Sequence, residues 1–243
     1  RTINFLCISL FVLTTGCSLP IHHESDQLNE ISGVKISGAM MRVMHDGQLQ
    51  GTIVLDTITD KRHLYGLGPV EFLTGEITVI DGRSYQSFVV NDSLLKVTES
   101  FAVKAPFFVY ANVSSWDEIL LPDYVQNISQ LESCIDSVSR SRPRPFAFKV
   151  SGIAESALIH VVNLPKNTEV HSVEDSHKGQ KNYTLNNTAV DLVGFFSTEH
   201  KGIFTHHDSF VHIHLFSREK AKMGHLDQIL LAKGSAKLYL PKT

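Results

Sequence analysis

Apolar residues alternate with polar ones along Phe210-Val211-His212-Ile213-His214-Leu215-Phe216. That period of two predicts a β-strand with Val211, Ile213 and Leu215 on its buried side and both histidines on the other face. The same alternation, or a run of β-branched residues, marks strands over Phe146–Gly152, Ser156–Val162, Ala189–Ser197, Gln228–Ala232 and Ser235–Leu240. In the first half, Gly75–Asp81 reads as a strand closed by Asp81-Gly82, with Arg83–Val90 returning, because Asp-Gly between two such runs is a hairpin signal. Phe107–Val113 is a further strand. Residues 33–58 read as a helix or strand that turns at Asp46-Gly47 into a strand at Thr52–Leu55, and 65–72 reads as a Gly/Pro turn region. Ile119, Leu120, Val125, Ile128, Leu131 and Ile135 fall at helical spacing and predict a helix across Asp117–Asp136. Residues 166–187 are polar and read as a loop.

Strands thus outnumber helices. The expected class is α+β, with two closely joined β-sheet-rich halves, 30–142 and 143–243, and few helices. The boundary is placed at the proline-broken segment Arg140–Pro145. The chain has 243 residues, 42% of them hydrophobic and 19% charged, enough for an ordinary core. A net charge of −3 and the lack of any long basic run argue against a nucleic-acid binder.

The N-terminus has the form of an export signal. Phe5–Leu13 is apolar but too short to span a bilayer, and Gly16-Cys17 closes it. The expectation is a signal peptide over 1–17 with Cys17 as a lipidation site, a tether over 18–29, and an exported or envelope-anchored domain. The membrane is then met only through a lipid on Cys17. Cys134 remains as a lone thiol in the expected helix.

The histidines change the picture. His212 and His214 share one strand face, and His225 follows eleven residues after His214, beyond a polar loop. Three imidazoles with an open fourth position are a common way to hold catalytic zinc. The alternative from the residues alone is a set of hydrogen-bonded or exposed imidazoles. His212-x-His214-x4-Glu219 also approaches the pattern of a cupin-like metalloenzyme, with Glu219 as a ligand. His200, His206 and His207 read as an exposed loop ahead of the strand, or as accessory ligands of a non-catalytic, lipid-anchored zinc-binding protein.

Two segments in order, "LGPVEFLTGEITVIDGRSYQ" (67–86) and "FVHIHLFSREKAKMGHLDQILL" (210–231), resemble the bacterial acetolactate decarboxylases, with "FAFKVSG" (146–152) and "VDLVGFFS" (190–197) in matching places. The resemblance spans about residues 30–240. It implies zinc bound by His212, His214 and His225 near the junction of two domains, with Glu76 as a catalytic carboxylate. The implied reaction is decarboxylation of 2-acetolactate, or a similar 2-hydroxy-3-keto acid, to acetoin. The metal acts there as a Lewis acid stabilising an enediolate. The resemblance also implies a homodimer. Two family positions differ. The arginine that would hold the substrate carboxylate falls at His160, with Arg83 or Lys149 as possible substitutes, and no glutamate follows Glu219.

Overall fold

The computed structural model describes residues 29–31 and 33–242. The signal segment, Cys17 and nearly all of the tether lie outside the described residues. Among those described, no helix is long and apolar enough to cross a membrane.

The chain runs through β1 (Asn29–Ile31), β2 (Val34–Ser37), α1 (Met40–Asp46), β3 (Ile53–Val54), β4 (Leu64–Pro69), β5 (Glu76–Ile80), β6 (Arg83–Val89), β7 (Leu95–Glu99), β8 (Lys104–Ala105) and β9 (Phe108–Asn112). It continues with β10 (Trp116–Leu120), α2 (Ile128–Val138), β11 (Phe146–Val161), α3 (Val173–Ser176), β12 (Lys181–Phe196), β13 (Val211–Ser217), β14 (Met223–Leu231) and β15 (Lys237–Pro241). Two large antiparallel sheets result. The first is seven-stranded, in the order β1-β2-β9-β4-β5-β6-β7. The second is six-stranded, in the order β10-β15-β11-β12-β13-β14. The expected α+β class, rich in sheet and poor in helix, is the one observed.

The hairpin at Asp81-Gly82 forms as its sequence dictates. Ile80 pairs with Arg83, leaving two turn residues with φ of 47° and 78°. A two-residue turn with positive φ at both positions matches the twist of its strands, and Asp-Gly adopts it at low cost.

The second sheet closes on itself. β11 pairs with β12 along its whole length, β12 with β13, β13 with β14, and β14 returns to the far end of β11. Register shifts between Ala154 and Ser156 and between Leu158 and Ile159 accompany that return, and such irregularities let a strand bend. Val211, Ile213 and Leu215 fill the interior with residues from β11, β12 and α2. Outside, Ala147, Val193 and Phe195 pack against Tyr65, Leu67 and Val109 of the first sheet. Each sheet therefore buries one face against the other, and the histidine face of β13 lies in that junction.

Several expectations need correction. Residues 65–72 are mostly strand, since 64–69 is β4, fully buried in the middle of the first sheet. The helix does not begin at Asp117. Residues 116–120 form a strand, and α2 starts at Ile128 behind a capping box made by Asn127 and Gln130. Leu120, one of the apolar positions that suggested a helical stripe, is 64% exposed. Pro122 and the Asn127 cap fix the true start, and both favour a break over a continuing helix. The chain also crosses to the second sheet at β10, ahead of the boundary placed at 143. Arg142 and Arg144 are taken up by ion pairs with Asp117 and Asp136. The predicted strands at 146–152 and 156–162 are one sixteen-residue strand, and β12 begins at Lys181, inside the expected loop. Cys134 is buried in α2 as expected.

Candidate active site

Strand register builds the site. His214 on β13 stands directly opposite His225 on β14, and His225 stands opposite His160 on β11. Directly opposed residues in an antiparallel pair project to the same face. The three imidazoles therefore form a row across three neighbouring strands. His212, two residues before His214, adds a fourth ring on that face. His212, His214 and His225 each offer a ligand atom within 4.8 Å of the others. All three are buried from solvent to a degree that strongly disfavours a charged imidazole. His214 is pushed down to about 3, mainly by burial and then by His160. The pKa values of His212 and His225 are held well below normal, first by burial and then by neighbouring imidazoles.

The first sheet supplies the opposite wall. Thr78 Oγ1 on β5 is 2.9 Å from His214 Nδ1, which leaves Nε2 as the nitrogen free for other work. Glu76, two residues earlier and so on the same face of β5, places Oε2 3.7 Å from His214 Nε2. Its Oε1 accepts a hydrogen bond from the Val162 amide at 3.2 Å. Glu76 is only 3% exposed, and burial pushes its pKa up to about 8. Two buried ring nitrogens, His212 Nδ1 and His214 Nε2, have no hydrogen-bond partner. Orphaned buried nitrogens are costly unless something outside the chain satisfies them. Neutral, converging, unsatisfied imidazoles with a carboxylate beside them are the donor set a divalent metal takes.

A cavity of about 470 Å³ opens over this cluster, reaching Glu76, His160, His212 and His225. Met40, Met41 and Met44 of α1, with Phe107 and Val162, make much of its wall apolar. His160 lines the cavity with Nδ1 2.7 Å from Asp227 Oδ1.

All five sequence-predicted site residues, Glu76, His160, His212, His214 and His225, thus meet in one place. The proposed substitutes for the family arginine do not. Arg83 pairs with Glu99 on an exposed edge, and Lys149 sits over Trp116. Glu219 is exposed in the turn after β13, so the cupin-like ligand set does not form. The loop histidines differ from the expected exposed run. His200 is tied to Ser197 Oγ at 2.6 Å, and His206 turns inward to His225. Thr78 and Asp227 join these residues without being singled out by the sequence. Thr78 was readable as the i+2 neighbour of Glu76 on a strand, whereas Asp227 depends on the β11–β14 register.

Comparison with known proteins shows the family to which the chain belongs. A family model described as alpha-acetolactate decarboxylase matches residues 37–240. An alpha-acetolactate decarboxylase of Methanosarcina mazei is 24% identical over 220 residues, spanning 89% of this chain and 70% of its own length. That of Lactococcus lactis is 23% identical over 203 residues, spanning 83% and 80%. Among solved structures, the acetolactate decarboxylase of Bacillus subtilis subspecies spizizenii shares the fold, with a TM-score of 0.69 at 20% identity over 85% of this chain and 84% of that one. A Staphylococcus aureus protein described as similar to alpha-acetolactate decarboxylase also has a TM-score of 0.69, at 18% identity and with the same coverage. With most of its length matched by the family model, this chain belongs to the alpha-acetolactate decarboxylase family.

Proposed function

We propose that the protein decarboxylates 2-acetolactate, or a closely similar 2-hydroxy-3-keto acid, to acetoin, using a zinc ion held by His212, His214 and His225. The observation that carries this reading is the convergence of three buried imidazoles, two with orphaned nitrogens, at the base of a cavity that Glu76 also lines. A zinc ion there supplies a Lewis acid for the electron pair released when carbon dioxide leaves.

The chain's own residues account for the remaining steps. When a 2-hydroxy-3-keto acid loses carbon dioxide, the electron pair of the broken bond moves into the neighbouring ketone, and the carbon that lost carbon dioxide must then gain a proton as the ketone re-forms. We assign that proton transfer to Glu76. Burial raises its pKa to about 8 in the metal-free chain, a bound zinc ion would oppose that shift, and the Val162 amide fixes the carboxyl's orientation for relaying a proton. The methionines of α1 and Phe107 exclude water, which strengthens polar interactions inside the cavity. His160, oriented by Asp227, presents its ring where a substrate carboxylate can be met. With Nδ1 donating to Asp227, only the imidazolium form can also donate through Nε2, a single contact where an arginine would offer a fork, so the carboxylate is held less rigidly.

Carbon dioxide and acetoin released in equal amounts from 2-acetolactate by the zinc-loaded chain test the reaction. Their absence from folded, loaded protein removes this substrate from consideration.

A further inference from the structure

A fourth imidazole reaches the cluster from outside its strands. His206 belongs to the segment 197–210 between β12 and β13, and its Nε2 lies 3.2 Å from His225 Nε2. Its ring centroid is 5.0 Å from that of His225 and 5.8 Å from that of His212. Two imidazole nitrogens this close either share one proton or serve as two ligands of one cation. Zinc–nitrogen bonds of about 2.0–2.1 Å at a tetrahedral angle put two ligand nitrogens about 3.3–3.4 Å apart. The observed contact is within about 0.2 Å of that edge. His206 stands outside the set of His212, His214 and His225 whose ligand atoms lie within 4.8 Å of one another, so its ring must swing inward to complete four nitrogens.

The segment is braced to present His206 inward. The backbone amides of Met40 and Met41 donate to the carbonyls of Ile203 and Gly202, each at 2.8 Å, and the Gly202 amide donates to the Thr205 carbonyl at 2.8 Å. His200 anchors its start to Ser197. Behind His206 lies a second cavity of about 250 Å³, which reaches Asp208 and Asp227 and is also lined by His206 and His225. The ring therefore lines two spaces, the substrate cavity and a mostly apolar recess that also carries Asp208, Ser209 and Asp227.

We propose that His206 is a retractable fourth ligand. It closes the metal site to four nitrogens when substrate is absent and withdraws toward the Asp208–Asp227 recess when substrate enters. This rests on the reading that His212, His214 and His225 hold the metal. It makes the resting site of this chain coordinatively closed, and it gives the loop between β12 and β13 control over access to the position that the substrate needs.

Two measurements test it without relying on turnover. X-ray absorption on the zinc-loaded wild-type chain counts the imidazoles directly. Four nitrogen ligands are expected, and three with a water or other light ligand overturn the proposal. Cobalt(II) then replaces zinc in wild type, His206→Ala, His206→Gln and His212→Ala. Wild type should show the intense visible bands of a four-coordinate site. Both His206 variants should show shifted bands, because a solvent oxygen that replaces the imidazole also leaves cobalt four-coordinate, and their zinc affinity in chelator competition should fall by at least about tenfold. Unchanged spectra and affinity in folded His206 variants overturn the fourth ligand alone, provided His212→Ala abolishes binding. A wild-type chain that binds no metal overturns both the three-histidine reading and this one.

Discussion

Glu76 Oε2 and His214 Nε2 lie 3.7 Å apart, one from each sheet, and both residues are almost wholly buried. The contact exists only because β5 and β13 face each other across the junction. Neither half of the chain contains a complete site. The first sheet brings the carboxylate and Thr78, and the second brings the imidazoles.

Glu76→Gln keeps the shape and removes the proton donor. Decarboxylation should fall by about 10²- to 10⁴-fold if Glu76 delivers the proton. The same substitution should change how the metal-free protein responds to pH. The folded pKa of Glu76 is raised to about 8 from 4.5, so its contribution to stability is fully present below about pH 4.5 and is lost as pH rises through 8. Thermal unfolding should therefore show Glu76→Gln gaining on wild type between pH 5 and 8. A constant difference would mean that the buried carboxyl does not titrate as described.

The buried histidines have the opposite sign. His206, His212, His214 and His225 are all depressed below the ordinary 6.5, chiefly by burial. Between pH 6.5 and the low folded values, the unfolded chain binds protons that the folded chain refuses. Stability is then present above pH 6.5 and lost as pH falls, by up to about 1.4 kcal/mol per pH unit for each group. His212, His214 and His225, the most strongly depressed, together outweigh Glu76 over pH 4.5–6.5. The melting temperature of the metal-free chain should drop steeply on acidification, and the His212→Ala, His214→Ala double variant should flatten the drop. An equally steep profile in that variant would place the acid sensitivity elsewhere.

Thr78 holds His214 through Nδ1 and so fixes which nitrogen faces the cluster. Thr78→Val removes the hydroxyl at nearly constant volume. Loss of a partner that orients a metal ligand commonly costs about 10- to 100-fold in affinity. Chelator competition should show that loss with the circular dichroism spectrum unchanged. Full zinc affinity in the variant would show that packing alone orients the ring.

Gly224 precedes His225, and a Cβ there would lie 2.4 Å from the His160 carbonyl oxygen. That oxygen belongs to the backbone of β11 and cannot swing aside. Gly224→Ala should force β14 from β11, destabilise the fold by about 1–3 kcal/mol and weaken metal binding by displacing His225. Denaturant unfolding alongside zinc titration checks both effects. A normal stability curve would show that the strands accommodate the methyl group.

Much of the site was legible in the sequence because its parts are local. His212 and His214 are two apart on one strand, and period two alone puts them side by side. The Asp81-Gly82 turn set the β5–β6 hairpin register, and so which face of β5 carries Glu76. What was not legible depends on long-range register. Nothing near Asp227 in the chain announces that it meets His160, because 67 residues and a strand return separate them. His206 read as exposed loop because its inward turn is set by backbone bonds to α1, far away in sequence. The helix expected from Asp117 failed because a stripe at helical spacing also arises where a strand, a Pro-bearing turn and a capped helix follow one another. β4 read as a turn because its glycines make room for neighbours. A Cβ on Gly66 or Gly68 would clash with Phe108 or the Phe107 carbonyl, so these residues serve close packing within a buried strand.

The most direct test of the account is acetoin formation from racemic 2-acetolactate by the metal-stripped chain, before and after zinc is restored, beside the His212→Ala, His214→Ala double variant. The account predicts acetoin only from zinc-restored wild type, with none above background from the stripped chain or the variant. No acetoin from folded, zinc-loaded wild type, or equal acetoin from the variant, would contradict it.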